Sequence, residues 1–390
     1  MEQTSSLPQV GILGGGQLAR MLLQEAKGLG IAPKVLTASA EDPAAHILAD
    51  ITLGALDDEA ALRAFFSACD VITFESEFHL AERLAKAAEG LDARFVPSLH
   101  ALAVMQDKLQ QKALLTRIGV SSAPYDVFEG EGSDWRKWLG GCFEKLGEHL
   151  VLKWSRLGYD GKGTLFVDQP NLEAVPVFLD AAKTRGAEVY AEPRIDFVRE
   201  LALVAVHSLD ESFSCYPLVI SEQEQGICKR VYGPAVAFGV KPTLHLRAEA
   251  YAKELFETLD GELLVNEMAP RVHNSGHYSL DAAECSQFEN HLRAASGMAL
   301  GLTQTAPAFA MLNLISDIPL PAPPLPQVQA PFVLHWYEKN EARLGRKMGH
   351  INVVAQSAED LRERLREMDL LDQRWLKRLR QRTPPKKEET

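Results

Sequence analysis

No stretch of the 390-residue chain approaches the ~20 consecutive apolar residues that cross a bilayer, so no membrane-spanning helix is expected. Cysteine is sparse. The five thiols, Cys69, Cys142, Cys215, Cys228 and Cys285, are odd in number, and no pair has zinc-ligand spacing. Reduced structural thiols are expected rather than a disulfide framework or a zinc site. A basic excess is missing too: 41 Lys and Arg against 53 Asp and Glu give a formal charge of −12. That argues against a general nucleic-acid or membrane surface, and leaves room for a local basic pocket around a phosphorylated ligand. The opening MEQTSS lacks a basic region followed by an apolar core, so a cytoplasmic protein is expected rather than a secreted one.

What remains is the composition of an ordinary soluble globular protein, with 46% hydrophobic and 24% charged residues. The run QVGILGGG (9–16) reads as a buried strand entering a glycine turn. A helix follows, with Leu18, Met21, Leu22 and Ala26 at helical spacing. Strands at 33–37 and 69–75 continue the alternation, which predicts an open α/β sheet over the first hundred residues. Ligands of such sheets sit beyond the strands' carboxyl ends, where Glu75 and Glu77 fall. A mixed α+β unit is expected next: a helix at 105–120, two strands within 150–168, and strands at 188–192, 200–208 and 213–220. The proline-rich 318–331 reads as a stiff connector, followed by strands near 332–337 and 350–355 and a helix at 358–381. The predicted units are therefore 1–106, 107–317, a connector at 318–331, 332–381, and a disordered tail at 382–390.

Three segments carry chemistry. Gly14-Gly15-Gly16-Gln17-Leu18-Ala19 fits a dinucleotide fingerprint, but the second strand ends in Thr37-Ala38 without the acidic residue that would hold a ribose. A tight turn or another phosphate ligand is the better reading. Lys153 precedes the loop Gly158-Tyr159-Asp160-Gly161-Lys162-Gly163, whose glycines and lysine suit a triphosphate. Lys108 and Lys153 would add point charges on its phosphates, and a solvated polar hairpin is the plain alternative. The richest segment is GELLVNEMAPRVHNSGHY (261–278). There an apolar strand delivers Asn266 and Glu267, oxygen donors suited to Mg²⁺, and Arg271, His273 and Asn274 follow as donors to a polar substrate.

The order GILGGGQLARM, DVITFESE, QDKLQQK, VLKWSRLGYDGKG, NEMAPRVHNSGHYS, SQFENHLRA and HWYEKNEARLGRKMGHIN resembles the 5-(carboxyamino)imidazole ribonucleotide synthetases over residues 10 to about 355. That resemblance implies an α/β ATP-grasp fold in three parts: an N-terminal preATP-grasp domain, a central ATP-grasp domain and a small C-terminal domain. It also implies a homodimer using ATP, Mg²⁺ and bicarbonate to carboxylate aminoimidazole ribonucleotide through carboxyphosphate. Matched motif by motif, ATP would meet Lys108, Lys153, Gly161, Lys162, Gly163, Asn266 and the acids Glu192 and Glu200. Glu267 would hold Mg²⁺. The ribonucleotide would meet Gln17, Glu75, Tyr159, Asp160, His273 and Asn274, with Lys339 and Arg346 on its 5′-phosphate. Lys153, Asp160, Lys162 and Arg271 would be the catalytic groups.

Two departures stand out. Leu157 replaces a second glycine ahead of Tyr159. More seriously, the family's first metal-binding carboxylate sits on a buried strand, for which only Glu254-Leu255-Phe256 is a match. Yet Leu244, Ala248, Tyr251, Ala252, Leu255, Phe256 and Leu259 keep a helical period, which predicts a helix with Glu254 facing solvent. A relative that binds nucleotides without turnover therefore stands as an alternative. A sibling ligase with another acceptor and an oxidoreductase on the glycine turn are the others.

Overall fold

Strands as apolar as VGIL and VITF, buried at every position, need cover on both faces, which a parallel sheet with flanking helices provides. The computed structural model describes residues 7–48, 51–158, 163–168, 172–259 and 268–382. In it β1 (Val10–Leu13), β2 (Lys34–Thr37), β3 (Thr52–Leu53), β4 (Val71–Phe74) and β5 (Arg94–Phe95) form a parallel sheet in the order β3-β2-β1-β4-β5. Helices α1 (Gln17–Ala26), α2 (Glu59–Phe66), α3 (Ala81–Ala88) and α4 (Leu99–Met105) cover it. Burying a side chain such as Leu22 of α1 contributes about 1.5–3 kcal/mol. Strand order reverses at β1, between β2 and β4, and a crevice for ligands opens at such a switch point. The glycine turn after β1 and Glu75 after β4 therefore meet there.

The second unit opens with α5 (Lys108–Arg117), capped by the Asp107 side chain. Strands β6 (Asp126–Val127), β7 (His149–Trp154), β8 (Thr164–Asp168) and β9 (Val189–Pro193) make an antiparallel sheet in the order β6-β9-β7-β8. Against it pack α6 (Trp135–Leu146) and α7 (Val175–Thr184), through Trp135, Leu139 and Val175.

Each of the two strands expected at 200–208 and 213–220 is broken in two. β10 (Glu200–Ala202) pairs with β13 (Val219–Glu224), whereas β11 (Ala205–His207) pairs with β12 (Phe213–Cys215). Pro217 lies between β12 and β13 and has no N–H to continue a ladder, so the chain changes partner there.

Strand β14 (Ile227–Gly233) leads to α8 (Pro242–Leu259), the helix its periodicity predicted, with Ala248, Tyr251 and Ala252 turned inward. Helices α9 (Ser279–Ala282) and α10 (Gln287–Ser296) precede β15 (Ala308–Ile315). The C-terminal segment corrects the expected boundary at 332. Strands β17 (Val333–Trp336) and β19 (Lys347–Ala355) do not form a sheet of their own. They extend one six-stranded sheet, β10-β13-β14-β15-β19-β17, and β15 pairs with β19 from Ala308–Ala355 to Ile315–Lys347. The proline-rich connector is not bare either, since β16 (Leu320–Pro321) pairs with β18 (Glu341–Ala342). Helix α11 (Ala358–Arg382) lies on this sheet through Leu361, Met368, Trp375 and Leu379, and takes in Arg382, which the sequence reading left to the tail. Residues 383–390 lie outside the described residues. Among the described residues no helix is long and apolar enough to cross a membrane.

Candidate active site

The glycine turn is occupied by the protein itself. Glu75 Oε1 accepts from Gly16 N at 2.8 Å and Oε2 from Ala19 N at 3.3 Å, so a carboxylate caps the N-terminus of α1 where a dinucleotide phosphate would sit. A Cβ on Gly14 would lie 2.5 Å from Glu75 Cγ, and Gly14 has φ +96°, so that position admits glycine alone. Thr37, at the position of a ribose-binding acid, bonds to Asp42. This filled turn answers the dinucleotide reading. Burial raises the Glu75 pKa, and the two backbone N–H groups oppose the rise.

The loop after residue 267 is pinned by a residue the sequence reading passed over. Buried Gln287, at the start of α10, accepts from His273 N (3.0 Å) and donates to His273 O (2.8 Å). It also bonds His277 Nδ1 (3.1 Å). Gly276 allows this approach, since a Cβ there would sit 2.5 Å from Gln287 Oε1. His273 Nδ1 accepts the Ser275 N–H (3.2 Å), so the neutral ring carries its proton on Nε2. Asn274 pairs reciprocally with Asn313, donating at 2.9 Å and accepting at 2.6 Å. Arg271 donates to both carboxylate oxygens of Glu77, through Nη2 at 2.8 Å and through Nε, and donates from Nη1 to Val272 O at 3.0 Å. Burial alone would raise Glu77, but Arg271 outweighs it and holds the carboxyl at about 2.

Around the glycine-rich loop, Arg156 Nε bonds Asp107 at 2.8 Å and Lys108 N bonds Ser155 O at 2.8 Å, fixing the start of α5 to the end of β7. Leu157 has φ +59°, the left-handed conformation that the missing glycine would adopt without strain. On the neighbouring strands Glu192 is buried between two cations, Lys153 on one oxygen and Lys112 at 3.0 Å on the other. Burial works against this carboxylate, yet Lys153 and Lys112 lower its pKa below the usual range. Lys112 also lies 5.1 Å over Tyr125 and 5.7 Å over Tyr190. Its motif, QDKLQQK, was visible in the sequence without that role being drawn from it. Glu200 begins β10 in the other sheet and bonds Gln223.

Tyr159, Asp160, Gly161 and Lys162 of the loop, and Asn266 and Glu267, lie outside the described residues. Gly163 is described and packs against Trp154. Glu254 is exposed on α8, not at a strand end, which corrects its candidacy as a metal ligand. Among the described residues no group of three or more His, Cys, Asp or Glu could hold a metal ion.

A cavity of about 480 Å³ joins these parts. Gln17, Glu75, Lys108, Arg271, His273, Asn274, Lys339 and Arg346 all line it, from five separate stretches of sequence. Lys153, Glu192 and Glu200 do not. At its C-terminal edge Lys339 Nζ bonds Lys347 O (2.7 Å) and Arg346 bonds Glu341 O (2.8 Å). Lys347, which the sequence reading omitted, joins them in the wall. Among the described residues, seven Lys and Arg line the cavity against Glu75 and Glu77, so an acidic protein presents a basic interior suited to anionic ligands.

Family models match as a ribonucleotide synthetase preATP-grasp domain (7–106), an ATP-grasp domain (114–288) and a phosphoribosylaminoimidazole carboxylase C-terminal domain (310–364). The N5-carboxyaminoimidazole ribonucleotide synthase of Synechococcus elongatus is 36% identical, with 91% of each chain covered. Two crystal structures of the Aspergillus clavatus enzyme are each 30% identical over 94% of this chain and 99% of that one. One is complexed with ATP (TM-score 0.84), the other with ADP and 5-aminoimidazole ribonucleotide (TM-score 0.81).

Proposed function

The chain belongs to the N5-carboxyaminoimidazole ribonucleotide synthase family, and from that premise we propose how its cavity serves the family reaction. It is an ADP-forming carbon–nitrogen ligase of purine synthesis. A bicarbonate oxygen attacks the γ-phosphorus of ATP, and ADP leaves carboxyphosphate behind. The exocyclic amine of 5-aminoimidazole ribonucleotide attacks the carboxyl carbon, or CO₂ released from it. Phosphate departs, the amine gives up a proton, and the carbamate remains. The family match and the substrates named for the Aspergillus structures favour this turnover over binding alone.

One observation carries the assignment of roles: Glu75, Arg271, His273, Lys339 and Arg346 share one basic cavity although the chain places them far apart. In our reading ATP lies between the four- and six-stranded sheets, with Lys108 and Lys153 on its phosphates and Glu192 and Glu200 towards adenine and ribose. Gly161, Lys162 and Gly163 are assigned to its phosphates by their motif. The ribonucleotide takes the cavity, its 5′-phosphate at Lys339 and Arg346, where a forked and a point cation suit a dianion. Gln17, Glu75, Tyr159, Asp160, His273 and Asn274 surround its ribose and base, and Arg271 faces the carboxyphosphate.

Mg²⁺ belongs to the proposal on donor chemistry, Glu267 and Asn266 offering the hard oxygens it prefers, and it would neutralise phosphate charge when bound. A homodimer and a cytoplasmic setting complete the reading. That the five cysteines form no disulfide supports a reducing compartment.

The test is ADP release from ATP and Mg²⁺, with bicarbonate and the ribonucleotide supplied singly and together. Release that needs both supports the reading; release from ATP alone, or none with both present, contradicts it.

A further inference from the structure

Arg271 has a partner with no role in the reaction as described so far. Glu77 lies two residues beyond Glu75, on the far side of the domain boundary, 194 positions from Arg271 in sequence. Their contact is bidentate, the geometry that fixes a guanidinium plane as well as its position. Both ends of the link are themselves fixed. The backbone carbonyl of Glu77 accepts from Gln106 Nε2 at 2.8 Å, and the loop carrying Arg271 is held by Gln287. Both side chains also line the cavity.

A partly buried ion pair of this kind adds little net stability, because the desolvation of two charges offsets much of their attraction. Its physical effect is on geometry. Nε and Nη2 are committed to one carboxylate and Nη1 to the next backbone carbonyl, so the guanidinium cannot swing about its long side chain. The Arg271 cation therefore meets an anion in the cavity in one orientation.

We infer that Glu77 is a positioning residue for the ligase reaction, orienting Arg271 towards the carboxyphosphate by a bidentate link from the N-terminal domain. This rests on Arg271 being the substrate-facing cation proposed above.

The test is a double-mutant cycle of Glu77→Gln and Arg271→Lys, read by steady-state kinetics, with ATP affinity measured by calorimetry and folding by thermal melting. Glu77→Gln should lower kcat by about 10²-fold, the cost of misplacing a catalytic group by about 1 Å, and leave ATP affinity unchanged. Glu77→Asp should restore part of the loss. The double variant should be no slower than Arg271→Lys alone, since the carboxylate acts only through the guanidinium. Unchanged kcat in Glu77→Gln, or losses that multiply in the double variant, overturns the inference. If Glu77→Gln does not fold, Glu77→Asp completes the same cycle with the same outcomes. Full turnover by Arg271→Lys is a separate failure: it removes Arg271 from the reaction, and Glu77 with it.

Discussion

Replacing Gly276 with alanine should injure the active site without touching any group that meets substrate. Its φ is not positive, so the backbone tolerates alanine and the damage is steric. The new methyl would lie 2.5 Å from Gln287 Oε1, 2.7 Å from Cδ and 2.9 Å from Val204 Cγ2. Gln287 is buried and has to move. Overpacking of this sort costs about 1–3 kcal/mol. Displacing Gln287 then weakens its bonds to His273 N, His273 O and His277 Nδ1, each worth about 0.5–1.5 kcal/mol. With two of the three lost, the total is about 2–6 kcal/mol. Because those bonds hold the His273 loop, turnover should fall by about 10²-fold. Gly141→Ala in α6 is the matched control: nothing lies within 4 Å of its added Cβ, so alanine should stabilise by about 0.5–1 kcal/mol. Urea unfolding and kcat of both variants make the assay. Gly276→Ala with wild-type stability and full turnover would refute the role given to Gln287.

Glu192→Gln strips the shared partner from two cations and should cost about 3–5 kcal/mol in urea unfolding at pH 7. Because the folded-state pKa of Glu192 is depressed, that difference should be complete above its usual value of 4.5 and vanish as the pH falls below it; a difference growing towards acid contradicts the argument. Lys339→Ala and Arg346→Ala should each raise KM for the ribonucleotide about 10–100-fold, as loss of a charge-assisted hydrogen bond does, with KM for ATP unmoved in initial-rate assays. Trp375→Ala should cost about 3–5 kcal/mol in thermal or urea unfolding, since the ring is 1% exposed and its N–H bonds Pro324 O at 3.0 Å.

Local pattern carried much of this molecule. Alternating apolar strands and helices gave the first sheet, and the helical period over 244–259 gave α8 against the competing strand. Residue chemistry in the segment 271–277 marked the site. What escaped were relations set by tertiary pairing. Nothing in 332–355 says that β17 and β19 extend another unit's sheet, because an edge strand has the same period as a strand in a separate domain. The Glu77–Arg271 pair spans 194 positions, and Gln287 acts through a contact only a glycine permits. The glycine fingerprint marked a tight turn, but not the carboxylate from the end of β4 that fills it.

The central claim, that ATP is spent on making carboxyphosphate, is tested most directly with ¹⁸O-bicarbonate. The enzyme is given ATP, Mg²⁺, ribonucleotide and labelled bicarbonate, and the phosphate is analysed by mass spectrometry before the label exchanges with water. The account predicts one bicarbonate oxygen in each phosphate released, matched by carbamate formed. Unlabelled phosphate appearing together with ADP would mean that water attacks ATP, and would contradict it.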